Sequence, residues 1–233
     1  QGLVGLLSAQ ELDQDALIED ILRLSGTKAQ LAHISAAIDT KFNERAGELP
    51  PEIYPELRRI LSESYHAEAL YQTIVETFHA QFDQDKMTQA LEWLNTPLSQ
   101  RITQLEEASM TPQGQQDAAN LLSQLETDPP AEARLALVQR LADATDAAGA
   151  MAEISIEMAR GMVKIIDLVL PEDKRLKPGE LEEIASSIRT DYDEQFEQGA
   201  LLYLLFTYRA LSDEELIRYI EFWESDAGKW LNR

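Results

Sequence analysis

The sequence has no cysteine, which excludes disulfides, thiol nucleophiles and thiolate metal sites while leaving the redox compartment open. It also lacks a long apolar run. The most prominent one, Ala200 to Phe206, is too short to span a bilayer and reads as a core helix, so no transmembrane segment is expected. Positive charge is scarce: 20 Lys and Arg face 42 Asp and Glu, for a net charge of −22. Such a field repels phosphate backbones and anionic headgroups, so nucleic acid and bare membrane surfaces are not expected partners, whereas basic partners or cations are. No G-x-S-x-G, glycine-rich phosphate loop or H-E-x-x-H occurs, and the usual nucleophile, nucleotide and zinc-hydrolase signals are therefore missing. Runs that alternate apolar and polar residues with period two are absent as well, which leaves little room for sheet.

What is present is helical. The 233 residues are 44% hydrophobic and 27% charged, enough for a full core in one domain or two intimately packed ones. Ser8 with Glu11 forms a capping box before the apolar positions Leu12, Ala16, Ile18, Ile21 and Leu22, and Gly26 stops that helix. Thr27 opens a second helix carrying Leu31, Ile34, Ile38 and Phe42. Pro50, Pro51 and Pro55 precede one long expected helix from Leu57 to Phe78, and Asp83 caps the next, with Met87, Leu91 and Leu94. Thr96-Pro97 and Thr111-Pro112 each read as an N-cap followed by proline at the first helical position. The expected fold is all-α, a helical bundle of roughly eight to ten helices.

The densest punctuation lies at the C-terminal end. Ser212 and Glu215 form a capping box; Leu216, Ile217, Ile220 and Trp223 share one helical face; Ser225 can cap a last short helix. Gly228 removes a Cβ where two helix ends would collide. The residues Leu211, Ser212, Glu215, Leu216, Phe222, Trp223, Ser225 and Gly228, together with Phe206 and Tyr208, resemble the signature of a bacterial domain-of-unknown-function family, the one numbered twenty fifty-nine. Asp226 stands where that family often has proline. The resemblance covers the last quarter of the chain and implies a small, all-helical, exported protein with no assigned activity.

Asp128-Pro129-Pro130 marks a midpoint after which the pattern starts over. Ala32-His33-Ile34-Ser35 is echoed by Ala152-Glu153-Ile154-Ser155, an offset of 120, and Phe82-Asp83 through Pro97 by Leu211-Ser212 through Asp226, an offset of 129. Two degenerate repeats are expected, residues 1–128 and 131–233, packed as one globular unit. The apolar segment 199–206 is expected at the centre of the second.

No cofactor or metal site is expected. The three histidines form no ligand set, and the Asp83-Asp85 run lacks the glycine and third ligand of a calcium loop. Carboxylate pairs such as Glu106-Glu107 read as solvated helix faces. Two features suggest a partner or ligand surface: the stripe Met151, Met158 and Met162, for which core packing is the simpler reading, and the basic spot Lys174, Arg175 and Lys177, for which a solvated loop is. The leading expectation is a non-catalytic helical binding or scaffold protein of the bacterial periplasm, not an enzyme. The chain opens at Gln1, which a removed signal peptide or simple trimming explains, so a cytoplasmic location is the alternative. The second functional expectation is a carrier of an apolar ligand in a cavity between the repeats, and the third a carboxylate-dependent hydrolase.

Overall fold

A computed structural model describes residues 14–44, 47, 54–64, 66–125, 127–169, 175, 177 and 179–232. Thirteen helices and no strand occur among them: α1 (14–24), α2 (Thr27–Glu44), α3 (Tyr54–Ser64), α4 (Ala67–Ala80), α5 (Gln84–Leu94), α6 (Pro97–Met110) and α7 (Pro112–Leu125), then α8 (Glu132–Thr145), α9 (Ala147–Val169), α10 (Glu180–Asp191), α11 (Asp193–Thr207), α12 (Asp213–Glu224) and α13 (Asp226–Leu231). The all-α expectation holds, with more and shorter helices than the eight to ten expected. One reason is visible between Leu57 and Phe78, where a single helix was expected. The chain ends α3 at Ser64 and places His66 in an extended conformation before α4 begins. Helical periodicity in the apolar residues survives such a short break and so does not reveal it. The Ser8-Glu11 box, Pro50 and Pro51 lie outside the described residues.

The caps act as the side chains dictate. Asp83 accepts a hydrogen bond from the Lys86 amide, Thr96 from Ser99, Thr111 from Gly114 and Ser225 from Gly228. At α12 both arms of the capping box are made: the Glu215 amide donates to Ser212 Oγ at 3.2 Å and the Ser212 amide to Glu215 Oε2 at 2.9 Å. Gly114 and Gly228 both sit three residues beyond their caps. A Cβ on Gly114 would lie 2.3 Å from the Ala108 carbonyl, and one on Gly228 would lie 2.1 Å from that of Phe222. Only glycine lets these helices fold back so closely on the preceding ones.

Two core clusters are built alike. In the first, Ile18, Ile21 and Leu22 of α1 pack on Met87, Ala90 and Leu94 of α5. In the second, Val138, Leu141 and Ala142 of α8 pack with Leu216, Tyr219 and Ile220 of α12. The α1 and α8 residues correspond at an offset of 120, and Met87 and Ala90 correspond to Leu216 and Tyr219 at 129. The turns that follow α1 and α8 also match, because Gly26 (φ 71°) and Asp146 (φ 48°), again 120 apart, are both left-handed. Helix α7 is the connector between the halves and has no counterpart among the described residues.

The halves exchange their ends. Trp230 of α13 completes the first cluster, and Ile102 of α6 completes the second. Arg101 Nη2 donates to the Ala210 carbonyl at 2.6 Å, while Trp230 Nε1 donates to the Gln81 carbonyl at 3.1 Å. Donors and acceptors are both related by 129 positions (230 minus 101, 210 minus 81). Trp93 stacks on its own counterpart Phe222, with centroids 4.9 Å apart. Residue i meeting j while the counterpart of i meets the counterpart of j is the contact pattern of a two-fold interface, here within one chain.

Candidate functional site

Helices α2, α6, α7 and α11 enclose a pocket of about 410 Å³. Its position follows from local rules already described. Thr111 caps α7 and Gly114 allows α7 to fold back tightly on α6, so the apolar stripe Ala118, Leu121 and Leu125 turns toward α11. From α11, Leu202, Tyr203 and Phe206 form the facing wall; α2 adds His33, Ile34 and Ala37; Ser109 and Met110 close the α6 end. Gln115 supplies one further polar group. Ile34 and Tyr203 are 40% and 39% exposed, and with the exposed Ala37 they mark the rim through which the pocket meets solvent. The lining is nearly all hydrocarbon and aromatic, and among the described residues it contains no Asp, Glu, Lys or Arg.

One turn before Ser109 and Met110, α6 carries a polar cluster. Tyr208 and Tyr219 both donate to Glu106 Oε1, at 2.6 and 2.9 Å, and their hydroxyls lie 3.4 Å apart. Burial pushes the Glu106 carboxyl above the ordinary carboxylate range, although the two phenol donors pull it the other way. Burial, reinforced by the Glu106 carboxyl, pushes both tyrosines well above their ordinary value; the Tyr219 hydroxyl adds to the rise at Tyr208, whereas hydrogen bonding to Tyr208 works against it at Tyr219. Glu106 is therefore not the solvated carboxylate its Glu-Glu context suggests: α6 turns it between Tyr208 and Tyr219 while the exposed face is left to its neighbours. Ser109 connects this cluster to the pocket, its hydroxyl donating to the Glu106 carbonyl at 2.7 Å and lying 3.5 Å from the Tyr203 hydroxyl. Glu106, Tyr208 and Tyr219 do not line the pocket.

The surface residues anticipated from the sequence fall elsewhere. Met151 and Met158 are exposed on α9 with Ile154 between them, 60% exposed, which overturns the core-packing reading of that stripe. The Met162 side chain and Lys174 lie outside the described residues. Arg175 and Lys177 are exposed ahead of α10, and the Lys177 amide donates to Glu180 Oε2 at 2.8 Å. Met151, Met158, Arg175 and Lys177 do not line the pocket. The C-terminal motif residues have structural roles: Leu211, Leu216, Phe222 and Gly228 are buried, Ser212, Glu215 and Ser225 cap, and Trp223 packs half-buried against Tyr219 and Phe222.

The pocket itself was not assigned to residues from the sequence. Two signals pointed to it: the all-round apolar character of 199–206, which leaves a surplus face after the core is filled, and Thr111-Pro112-Gln113-Gly114, which repeats the cap-to-glycine spacing of Ser225 to Gly228. Among the described residues no group of His, Asp and Glu is placed to hold a metal ion, and no helix is long and apolar enough to cross a membrane. No protein-family model, curated protein or solved structure matches the chain.

Proposed function

We propose that this protein is a non-catalytic binding protein that carries a small apolar ligand between α2, α6, α7 and α11. The observation behind this reading is the 410 Å³ hydrocarbon-lined pocket, which falls within the roughly 300–1,000 Å³ of small-molecule sites. Apolar surface left unfilled in a folded protein costs stability, because its walls lose dispersion contacts, and a ligand that fills the space restores them. A carboxylate-dependent hydrolase is less well supported, since the Glu106 carboxyl is taken up by two tyrosines and does not line the pocket. Export to the periplasm, which the resemblance of residues 206–233 implies, fits a carrier and belongs to the same proposal.

Titration of the purified protein, stripped of bound organics, with the neutral dye N-phenylnaphthylamine tests the reading. Saturable, blue-shifted fluorescence at one dye per chain is expected, together with a raised Tm. A linear, unsaturable response would rule the pocket out as a binding site. A second reading, a scaffold that grips a protein partner, draws on the exposed Met151, Ile154 and Met158 of α9. Ile154→Glu with Met158→Glu should leave dye binding intact while abolishing any partner complex; loss of dye binding instead would join the two surfaces into one site.

A further inference from the structure

We propose that the ligand of this pocket is uncharged: an apolar body bearing at most a hydroxyl or carbonyl, and not a fatty acid, a phospholipid or a cationic amphiphile. This rests on the reading of the pocket as a ligand site and specifies its chemistry. The polar groups on the lining are the His33 imidazole, the Gln115 amide and the hydroxyls of Ser109 and Tyr203. These exchange hydrogen bonds with a neutral oxygen, and none is a fixed charge. Ser109 already donates to the Glu106 carbonyl, which leaves mainly the rim groups for a ligand.

The surrounding charge argues in the same direction. Neither α7 nor α11 contains a single Lys or Arg, while they bring Asp117, Asp193, Glu194 and Glu197. Lys28 of α2 sits over the Tyr71 ring, 5.6 Å from its centroid, and does not line the pocket. An anionic headgroup at the rim would give up hydration with no fixed cation among the described lining residues to replace it, inside the field of a chain with net charge −22. A cationic headgroup would find no carboxylate on the lining. For size, a cavity of about 150 Å³ accommodates benzene, so by proportion this one holds roughly 15 carbon atoms, the scale of a medium alkyl chain.

Isothermal titration calorimetry of the full chain with dodecanol, dodecanoate and dodecyltrimethylammonium, at about pH 8 where the carboxylate is ionised, tests the proposal. Dodecanol is expected to bind about tenfold or more tighter than either charged probe. Ala37→Trp, at the exposed rim, and Ala118→Phe, on α7, fill the pocket and should each weaken dodecanol binding at least about tenfold. Dodecanoate binding as tightly as dodecanol overturns the proposal. Equal or tighter binding of the ammonium probe overturns it too. In either case, if both filled variants lose binding, the pocket remains the ligand site and only the charge assignment falls. If no probe binds, or if dodecanol binding survives in both filled variants, the carrier reading falls with it.

Discussion

Helices α4 and α11 hold corresponding places in the two halves, yet α4 buries no residue completely whereas α11 buries Ala200, Leu204, Phe206 and Thr207. The difference is one of neighbours. α4 packs on α1, α2 and α3 and meets the short α13 through Phe78 and Trp230, while α11 is wrapped by α8, α9 and the longer α6, with α7 in addition. Connector α7 has no counterpart after α13 among the described residues, so it covers one half only. The pocket lies where this extra helix spans the gap between α2 and α11. Corresponding frameworks thus leave α4 without a fully buried residue on one side and a ligand-sized space beside α11 on the other, and among the described residues the added helix α7 marks the asymmetry.

That comparison can be broken most directly at the exchanged ends. Trp230 fills the first cluster, stands edge-on to Phe78 and donates to Gln81, so Trp230→Ala should destabilise by about 3–5 kcal/mol in urea titrations. Amide exchange in α1 and α5 should accelerate with it. A loss under about 1 kcal/mol would mean that the halves do not depend on each other.

The second prediction concerns Glu106, which belongs to the α11 side alone. Glu106→Ala strands the Tyr208 and Tyr219 hydroxyls and should cost about 1–3 kcal/mol, measured in the same way. Glu106→Gln keeps an acceptor and removes the titration. The folded carboxyl titrates above its unfolded value of 4.5, so the stability it contributes is present below that value and is lost as pH rises through the raised one. Melts across that window should therefore fall less steeply for Glu106→Gln than for the parent, and parallel profiles would disprove the shift.

Gly228→Ala forces a Cβ against the Phe222 carbonyl and should cost about 1–3 kcal/mol, whereas Ser99→Gly at the corresponding first-half position creates no clash. Equal effects on Tm would show that the two helix crossings are interchangeable. The smallest effect is expected at Arg101, the counterpart of Trp230. Its contacts to Glu215 and the Ala210 carbonyl are largely exposed, so Arg101→Met should cost less than about 1 kcal/mol. A cost approaching that of Trp230→Ala would make the exchange energetically symmetric, against the comparison drawn above.

Much of the framework was legible in the sequence because its signals are local. Asp83, Thr96, Thr111, Ser212 and Ser225 specify helix starts through hydrogen bonds that span only three residues. The burial of Leu216 and Ile220 follows from spacing on one helix. The candidate site was less legible. Met151 and Met158 look like core residues in any window of sequence, and only the packing of α9 among the described residues shows that they are exposed. Glu106 and Glu107 look alike, and only the positions of Tyr208 and Tyr219, over a hundred residues away, separate them.

By itself the sequence determined the all-helical architecture, the caps, and the paired registers at offsets of 120 and 129, since each depends on residues close in the chain or on the repeat of such a pattern. Tertiary structure alone decided that the halves exchange Trp230 and Arg101, that a carboxyl is enclosed, and that an apolar space of 410 Å³ remains between α2 and α11. The physical reason is that a helix's apolar stripe states how much surface must be covered but not which helix covers it. That choice is made by the packing of distant elements, and a cavity is what remains where their shapes do not fully match.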